Sequence, residues 1–256
     1  MDRRLFLATA LGMLAAPRTL AQTTPITRWM VTTSEGHDAI AFLGPLSGEP
    51  LYQSYYAEDA KAFPLPAPVR AEIALLWKQA GADGFGLLGP VLSSKISGAD
   101  VATIEGVIAA LADPEARIRP RLQQSPYWDE AEWKWLTAHA PRLVAVFTAM
   151  RDAGFSGLRD ARTGDLAARA AQLQRDLAPF DVIRLQQKLT GRSFDPQIDV
   201  VLLQFCKPHG IKVQGQTFLQ AADWNLAITV RNAAHEMLHP PIPMDGAVAK
   251  AALAVL

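Results

Sequence analysis

A single cysteine, Cys206, is all the thiol chemistry the 256 residues contain. No intramolecular disulfide can close, so outside the cytoplasm stability must come from the core or from a bound metal. Net charge is lacking as well, because 25 Lys and Arg face 25 Asp and Glu. No Lys/Arg-rich run follows the first few residues, which removes the electrostatic footprint of nucleic-acid binding. Half of the residues are apolar. Yet beyond the N-terminus no uncharged apolar stretch approaches the ~20 residues that cross a bilayer, so no stable membrane span is expected after that segment is removed. Gly81, Gly84, Gly86 and Gly89 miss both nucleotide-binding spacings, leaving NTP and dinucleotide chemistry without support. Neither a fixed-period repeat nor a low-complexity tract is present.

What is present begins with a removable leader. Arg3 and Arg4, the apolar run Leu5 to Ala16, and Pro17 to Ala21 follow the charged, apolar, small-residue order of a secretory signal, with cleavage expected after Ala21. Asp2-Arg3-Arg4-Leu5-Phe6-Leu7 resembles the twin-arginine export signal, although the usual Ser or Thr before the pair is missing. Either the twin-arginine or the Sec machinery would be the export partner, and the mature protein would be periplasmic or secreted. The chain thus divides into 1–21, a signal peptide; 22–190, a mainly helical region; and 191–256, a β-plus-helix region.

An α+β class is expected, mostly helical with a small late β-sheet. Helical spacing of Val69, Ile73, Leu76 and Trp77 predicts a helix to Ala80, and Asp100 is the expected cap of a second helix to Leu111. Ser125-Pro126 reads as the start of a third, with Pro141 breaking or kinking it. Trp128, Trp135 and His139 share a face there, which reads better as core packing than as a binding stripe. Another helix is expected over Asp165 to Leu177. Phe63 to Pro68 is a stiff connector that could separate an N-terminal lobe. After Gly191 the pattern changes: Asp199 to Phe205 reads as a buried strand, Lys207 to Gly210 as a turn, and Ile211 to Leu219 as loosely alternating β. Asp223 then offers an N-cap to a helix from Trp224 to His239.

That helix ends in His235-Glu236-Met237-Leu238-His239, an H-E-x-x-H arrangement. Residues four apart share a helix face, so the two imidazoles can converge on one Zn2+, while Glu236 can take the proton of a water activated by the ion. Small Ala233 and Ala234 before the motif and the apolar strand upstream resemble zincin metallopeptidases. Phe218, Trp224 and the helix into His239-Pro240 resemble uncharacterised gluzincin-like bacterial families, as does Ala41 to Phe63 with Leu46 to Tyr52, more faintly. The resemblance implies a peptide or protein substrate. It also implies a strand near Ile211 to Leu219 that offers its edge to an extended peptide.

The third ligand departs from the pattern of those relatives. A gluzincin-type ligand would be a downstream glutamate, and the 17 residues after His239 hold none. A metzincin-type ligand would fall at Asp245, but the glycine expected between is Ile242, and Asp245 reads equally as the N-cap of a helix from Gly246. Ala247 to Leu256 stops in mid-pattern, so the chain is expected to be shortened relative to its relatives. Elsewhere, His37 in Ser34 to Asp38 reads as an exposed loop residue or a ligand. His209 reads as a surface turn or an aid to a developing oxyanion, and Cys206 as a small buried hydrophobe. Two readings of the whole remain: an exported zinc metallopeptidase, with Glu236 as base, His235 and His239 as ligands and the third ligand either Asp245 or absent from this chain, or a non-catalytic zincin-like module of the envelope with an incomplete metal site.

Overall fold

The computed structural model describes residues 24–237. Its first strand, β1 (Arg28–Thr33), alternates Trp29 and Val31 inward with Arg28, Met30 and Thr32 outward. Period-two alternation of this kind makes a half-buried strand. A sheet confined to the late region therefore does not describe the protein, because β1 pairs in parallel with β2 (Gln197–Leu203), Val31 opposite Val200. With only two inward apolar residues and its partner far along the chain, β1 is too short a pattern to stand out locally. The late region supplies β3 (Gly210–Lys212) and β4 (Thr217–Ala221), giving the order β1-β2-β4-β3. All neighbours are parallel except the edge strand β3, which is antiparallel to β4.

Twelve helices among the described residues cover this sheet. Ahead of β2 come α1 (Glu35–Ser47), α2 (Pro50–Ala62), α3 (Ala67–Ala82), α4 (Leu88–Ile96), α5 (Ile104–Ala112), α6 (Pro114–Arg117) and α7 (Arg119–Leu122). They are followed by α8 (Glu130–Asp152), α9 (Phe155–Thr163), α10 (Leu166–Leu177) and α11 (Val182–Thr190), while α12 (Leu226–Glu236) follows β4. One sheet face, bearing Ile198, Val200, Leu202 and Phe218, packs on α10, α11 and α12. The opposite face, with Val201, Leu203 and Leu219, turns toward the larger helical core. The fold is α+β, a small mixed sheet between unequal helical layers.

The larger core is organised by α1, a central helix buried from Gly36 to Ser47, with His37 and Asp38 in its first turn and an apolar run after them. The connector at Phe63 to Pro68 divides no lobe: α2 and α3 on either side join α1 in one cluster, and Phe63 and Leu65 are themselves buried. Several caps differ from those expected. Thr103, not Asp100, accepts from the Gly106 N–H and starts α5, while Asp100 binds the Ala102 N–H ahead of it. Asp129 caps α8 through the Glu132 N–H, and Ser125 instead closes the preceding turn through Leu122 and Tyr127. Asn225, not Asp223, caps α12, because Asp223 pairs with Lys207. Helix α8 runs unbroken through Pro141, since one lost donor weighs little against burial of Leu136, Ala140, Leu143, Val146 and Phe147. Trp135 and His139 stack within this helix at 4.4 Å, Trp135 being buried in the core.

His37 lies in the first turn of α1, 5% exposed. Ser34 caps that turn, accepting from the His37 N–H and donating its hydroxyl to the Val101 carbonyl. Three polar residues in a row suggest a loop; here they are the buried start of a central helix. Burial pushes the His37 imidazole down to about 4, and its Nδ1 has no partner. Next to it, Asp38 is fully buried and accepts from Arg159 Nε at 2.7 Å and from the Gln204 and Phe205 N–H groups at 2.6 and 3.2 Å. Burial pushes its carboxyl up to about 6, opposed by Arg159 and the two N–H groups.

Two outcomes follow. Asp38→Ala strands a guanidinium and two buried donors and should cost about 3 kcal/mol in urea denaturation. The unfolded chain protonates His37 below pH 6.5 and the folded chain only below about pH 4, so His37 contributes stability that rises with pH across that window. His37→Leu should remove this contribution, and the stability difference between wild type and variant should move in favour of wild type by about 2 kcal/mol from the acid to the neutral end. A pH-independent difference would contradict the assignment.

Candidate active site

The helix carrying His235 and Glu236 is seated by polar contacts at both ends. At its start Asn225 Oδ1 accepts from the Ile228 N–H, and Arg169 of α10 donates to the carbonyls of Ala222 and Trp224 in the connection from β4. In its middle the buried Gln220 of β4 donates to Thr229 Oγ1 at 2.8 Å. Near its end Gln186 of α11 donates to the Ala234 carbonyl at 2.7 Å. Ala233 and Met237 are buried on the same side, against the sheet. This seating fixes the rotation of the last turn: His235 is exposed, and Glu236 is half-buried and faces a cleft.

Gly210 brings the edge strand up to this helix. A Cβ there would meet the Asn232 side chain, its Oδ1 at 2.1 Å. Asn232 lies one turn before Glu236, so close approach of strand and helix closes the floor of the cleft. The cleft, about 470 Å³, is walled by Phe85 and Leu87, by Pro90 and Val91 of α4, by Tyr127, and by His209 to Lys212.

The ladder defines which groups β3 turns to this space. The N–H of Asp199 bonds to the Gln216 carbonyl, and that of Ala222 to the Leu203 carbonyl, so even-numbered residues of the β4 segment face β2. Odd-numbered residues therefore face β3, as the bond from the Val213 N–H to the Thr217 carbonyl shows. Ile211 exchanges its main-chain bonds with Leu219, and the main-chain groups of Gly210 and Lys212 point away from β4, along the edge. Farther on, that edge is closed where the Gln214 N–H meets Ser97 Oγ.

His209 is not simply a surface turn. It is half-buried, its Nε2 lies 3.0 Å from the Tyr52 hydroxyl, and burial pushes its imidazole down, toward the neutral form. Tyr56 accepts from the Lys207 N–H, so two buried tyrosines of α2 hold the turn that leads into β3. Cys206 is the small buried hydrophobe expected, 1% exposed, and burial pushes its thiol far up.

Tyr127 is a site residue that pattern reading misses, since a lone aromatic in a loop has no spacing to mark it. Its main chain is pinned by Lys95, which donates to the Tyr127 carbonyl at 2.6 Å and pairs with Glu132. Its hydroxyl is buried with no partner among the described residues, pushed up to about 12 by burial and then by the charge of Glu236. The Lys212 ammonium is pushed down by burial and by Arg192, with Glu236 acting in the opposite sense. A carboxylate, a phenol and an ammonium thus share one electrostatic neighbourhood. Among the described residues no three His, Cys, Asp or Glu side chains are grouped to hold a metal ion. His239, Asp245 and the segment Met1 to Ala21 lie outside the described residues. No described helix is long and apolar enough to cross a membrane.

Gly210→Ala should displace the Asn232 side chain and cost about 1 kcal/mol, with Asn232→Ala restoring most of the loss in the double variant. An additive double variant in thermal unfolding would show that the two residues do not meet. No protein-family model, curated protein or solved structure matches this chain.

Proposed function

We propose that the protein is an exported zinc-dependent peptidase, working in the periplasm or outside the cell. The observation carrying this reading is Glu236, facing a cleft lined by the edge strand β3 and by Tyr127. His235 and His239 would hold the ion, with Asp245 as the third protein ligand in this chain; imidazole and carboxylate donors suit zinc. Bound zinc lowers the pKa of a coordinated water and polarises a carbonyl. The chain's own groups divide the remaining work. The edge of β3 aligns an extended peptide through the main chain of Gly210 and Lys212. Glu236 accepts the proton of the attacking water and returns it to the leaving amine. Tyr127 donates its hydroxyl to the oxygen on which negative charge develops, and its raised pKa keeps that proton in place near neutral pH. Phe85, Leu87, Pro90 and Val91 exclude water from one wall and favour apolar side chains there.

The test is elemental analysis together with peptide hydrolysis by the full mature chain. About one zinc per chain is expected, lost in His235→Ala and in His239→Ala but retained in Glu236→Gln. Glu236→Gln should reduce turnover by about 10²-fold or more, and Tyr127→Phe by about tenfold or more with little change in KM. Undiminished hydrolysis by Glu236→Gln would overturn the assignment. Absence of both zinc and hydrolysis in the wild-type chain would leave the non-catalytic envelope module.

A further inference from the structure

His209 lines the Glu236 cleft, and its main chain and one ring nitrogen are pinned from behind. Its N–H donates to the Cys206 carbonyl at 2.8 Å, and its own carbonyl accepts from the Cys206 thiol at 3.2 Å. The imidazole meets the Tyr52 ring edge-on, 5.5 Å between centroids, with Nε2 3.0 Å from the Tyr52 hydroxyl. That hydroxyl decides the tautomer. Tyr52 is 2% exposed, and its hydroxyl has no other partner among the described residues. A proton on Nε2 would leave the phenolic hydrogen buried without an acceptor, which is the costly arrangement. Tyr52 therefore donates, Nε2 accepts, and the neutral ring carries its hydrogen on Nδ1. Burial pushes the imidazole down, which keeps the ring neutral near neutral pH. Nδ1 has no partner among the described residues, so its N–H is the open donor of a side chain that lines the cleft.

We propose that His209 anchors the peptide by donating its Nδ1–H to a main-chain carbonyl, with Tyr52 as the positioning residue that holds the ring in this tautomer. The identity of the ligand rests on the peptidase reading, whereas the donor follows from Tyr52 and His209 alone. The fold indicates which part of the peptide is held. Asn232 meets Gly210, and Glu236 lies one helical turn, about 5.4 Å, farther along α12, where its charge acts on the Lys212 ammonium. A peptide paired antiparallel to β3, the stronger pairing, runs from the Lys212 end to the Gly210 end and then past His209. The anchored carbonyl therefore belongs to the part released as the leaving amine, one or two extended residues beyond the cleaved bond at ~3.3 Å per residue. Every residue brings a main-chain carbonyl, so the contact selects an extended chain and not a particular side chain.

The experiment uses the full mature chain with isotope-labelled histidine. Proton–nitrogen correlation spectra should show His209 protonated at Nδ1 and bare at Nε2, and Tyr52→Phe should move the proton to Nε2. Binding is read by fluorescence titration of an apolar dansyl peptide blocked at its C-terminus, with Glu236→Gln in every chain so that the peptide stays uncut. His209→Leu and His209→Gln should each weaken binding about tenfold, whereas His209→Asn, whose amide nitrogen takes the place of Nδ1, should stay within about threefold of its parent. Equal losses in the Asn and Leu variants, a parent ring protonated at Nε2, or no peptide bound by any chain would overturn the anchor. Hydrolysis by chains with Glu236 intact separates the two readings. There His209→Leu should raise KM about tenfold and leave kcat within about twofold. An unchanged KM sinks only the anchor, whereas peptide binding that shifts the Nδ1 signal without any cleavage sinks only the peptidase.

Discussion

The buried carboxylate of Asp38 is the contact on which the rest of the arrangement depends. It sits at the start of the central helix α1, takes a guanidinium from α9, and receives the N–H groups of Gln204 and Phe205 where β2 ends. One side chain therefore ties the large helical core to the sheet at the point where the chain leaves its central strand. Phe205 enters the aromatic cluster of Phe42, Tyr56 and Phe155 at that point. The next residues form the turn held by Tyr52 and Tyr56, and after them comes the edge strand. The position of β3 is set by this sequence of contacts more than by its own three residues, which are only half-buried.

The opposite side of the cleft is set by a different kind of contact. Helix α12 buries Ala233 and Met237 and packs Leu226, Val230 and Ala234 partly against the same cluster, a mostly small-residue face that hydrogen bonds also register. Gln220 to Thr229, Gln186 to Ala234 and Arg169 to the connecting carbonyls are those bonds. Buried hydrogen bonds of this sort add modest net stability, but a slip of one residue would leave each donor unmet, and that asymmetry selects one register. The carboxylate of Glu236 depends on this register, because a helical residue rotates by about 100° for each position slipped.

How much of this was legible in the sequence follows from where each pattern resides. β2 is a continuous apolar run between prolines, α10 carries its spacing and its Asp165 cap locally, and α12 carries its spacing, so all three could be read from single segments. Helix α1 could not, because a helix buried on every side has no polar face to give it a period, and its first turn hides Ser34, His37 and Asp38 where polar residues suggest a loop. β1 failed for want of length, and Asp100, Ser125 and Asp223 failed as caps because a better-placed Thr103, Asp129 or Asn225 lay within a few residues. At the cleft, Glu236 was legible from the motif it shares with His235, which the helix leaves exposed outside the cleft lining. Tyr127 and Lys212 were not, since they meet Glu236 only through the fold and come from a separate loop and strand.

That assembly changes the standing of the long helical region, which carries no motif of its own. Phe85, Leu87, Pro90, Val91 and Tyr127, all from that region, form the wall opposite Glu236 and β3. The late β-plus-helix region alone would present a sheet edge and a helix end to open water, where a carboxylate and an ammonium attract each other only weakly. The wall shields one side of that space and buries the Tyr127 hydroxyl, which has no hydrogen-bond partner among the described residues. Glu236 faces a cleft rather than open solvent because a separate layer of helices, anchored through Asp38, supplies the opposite wall.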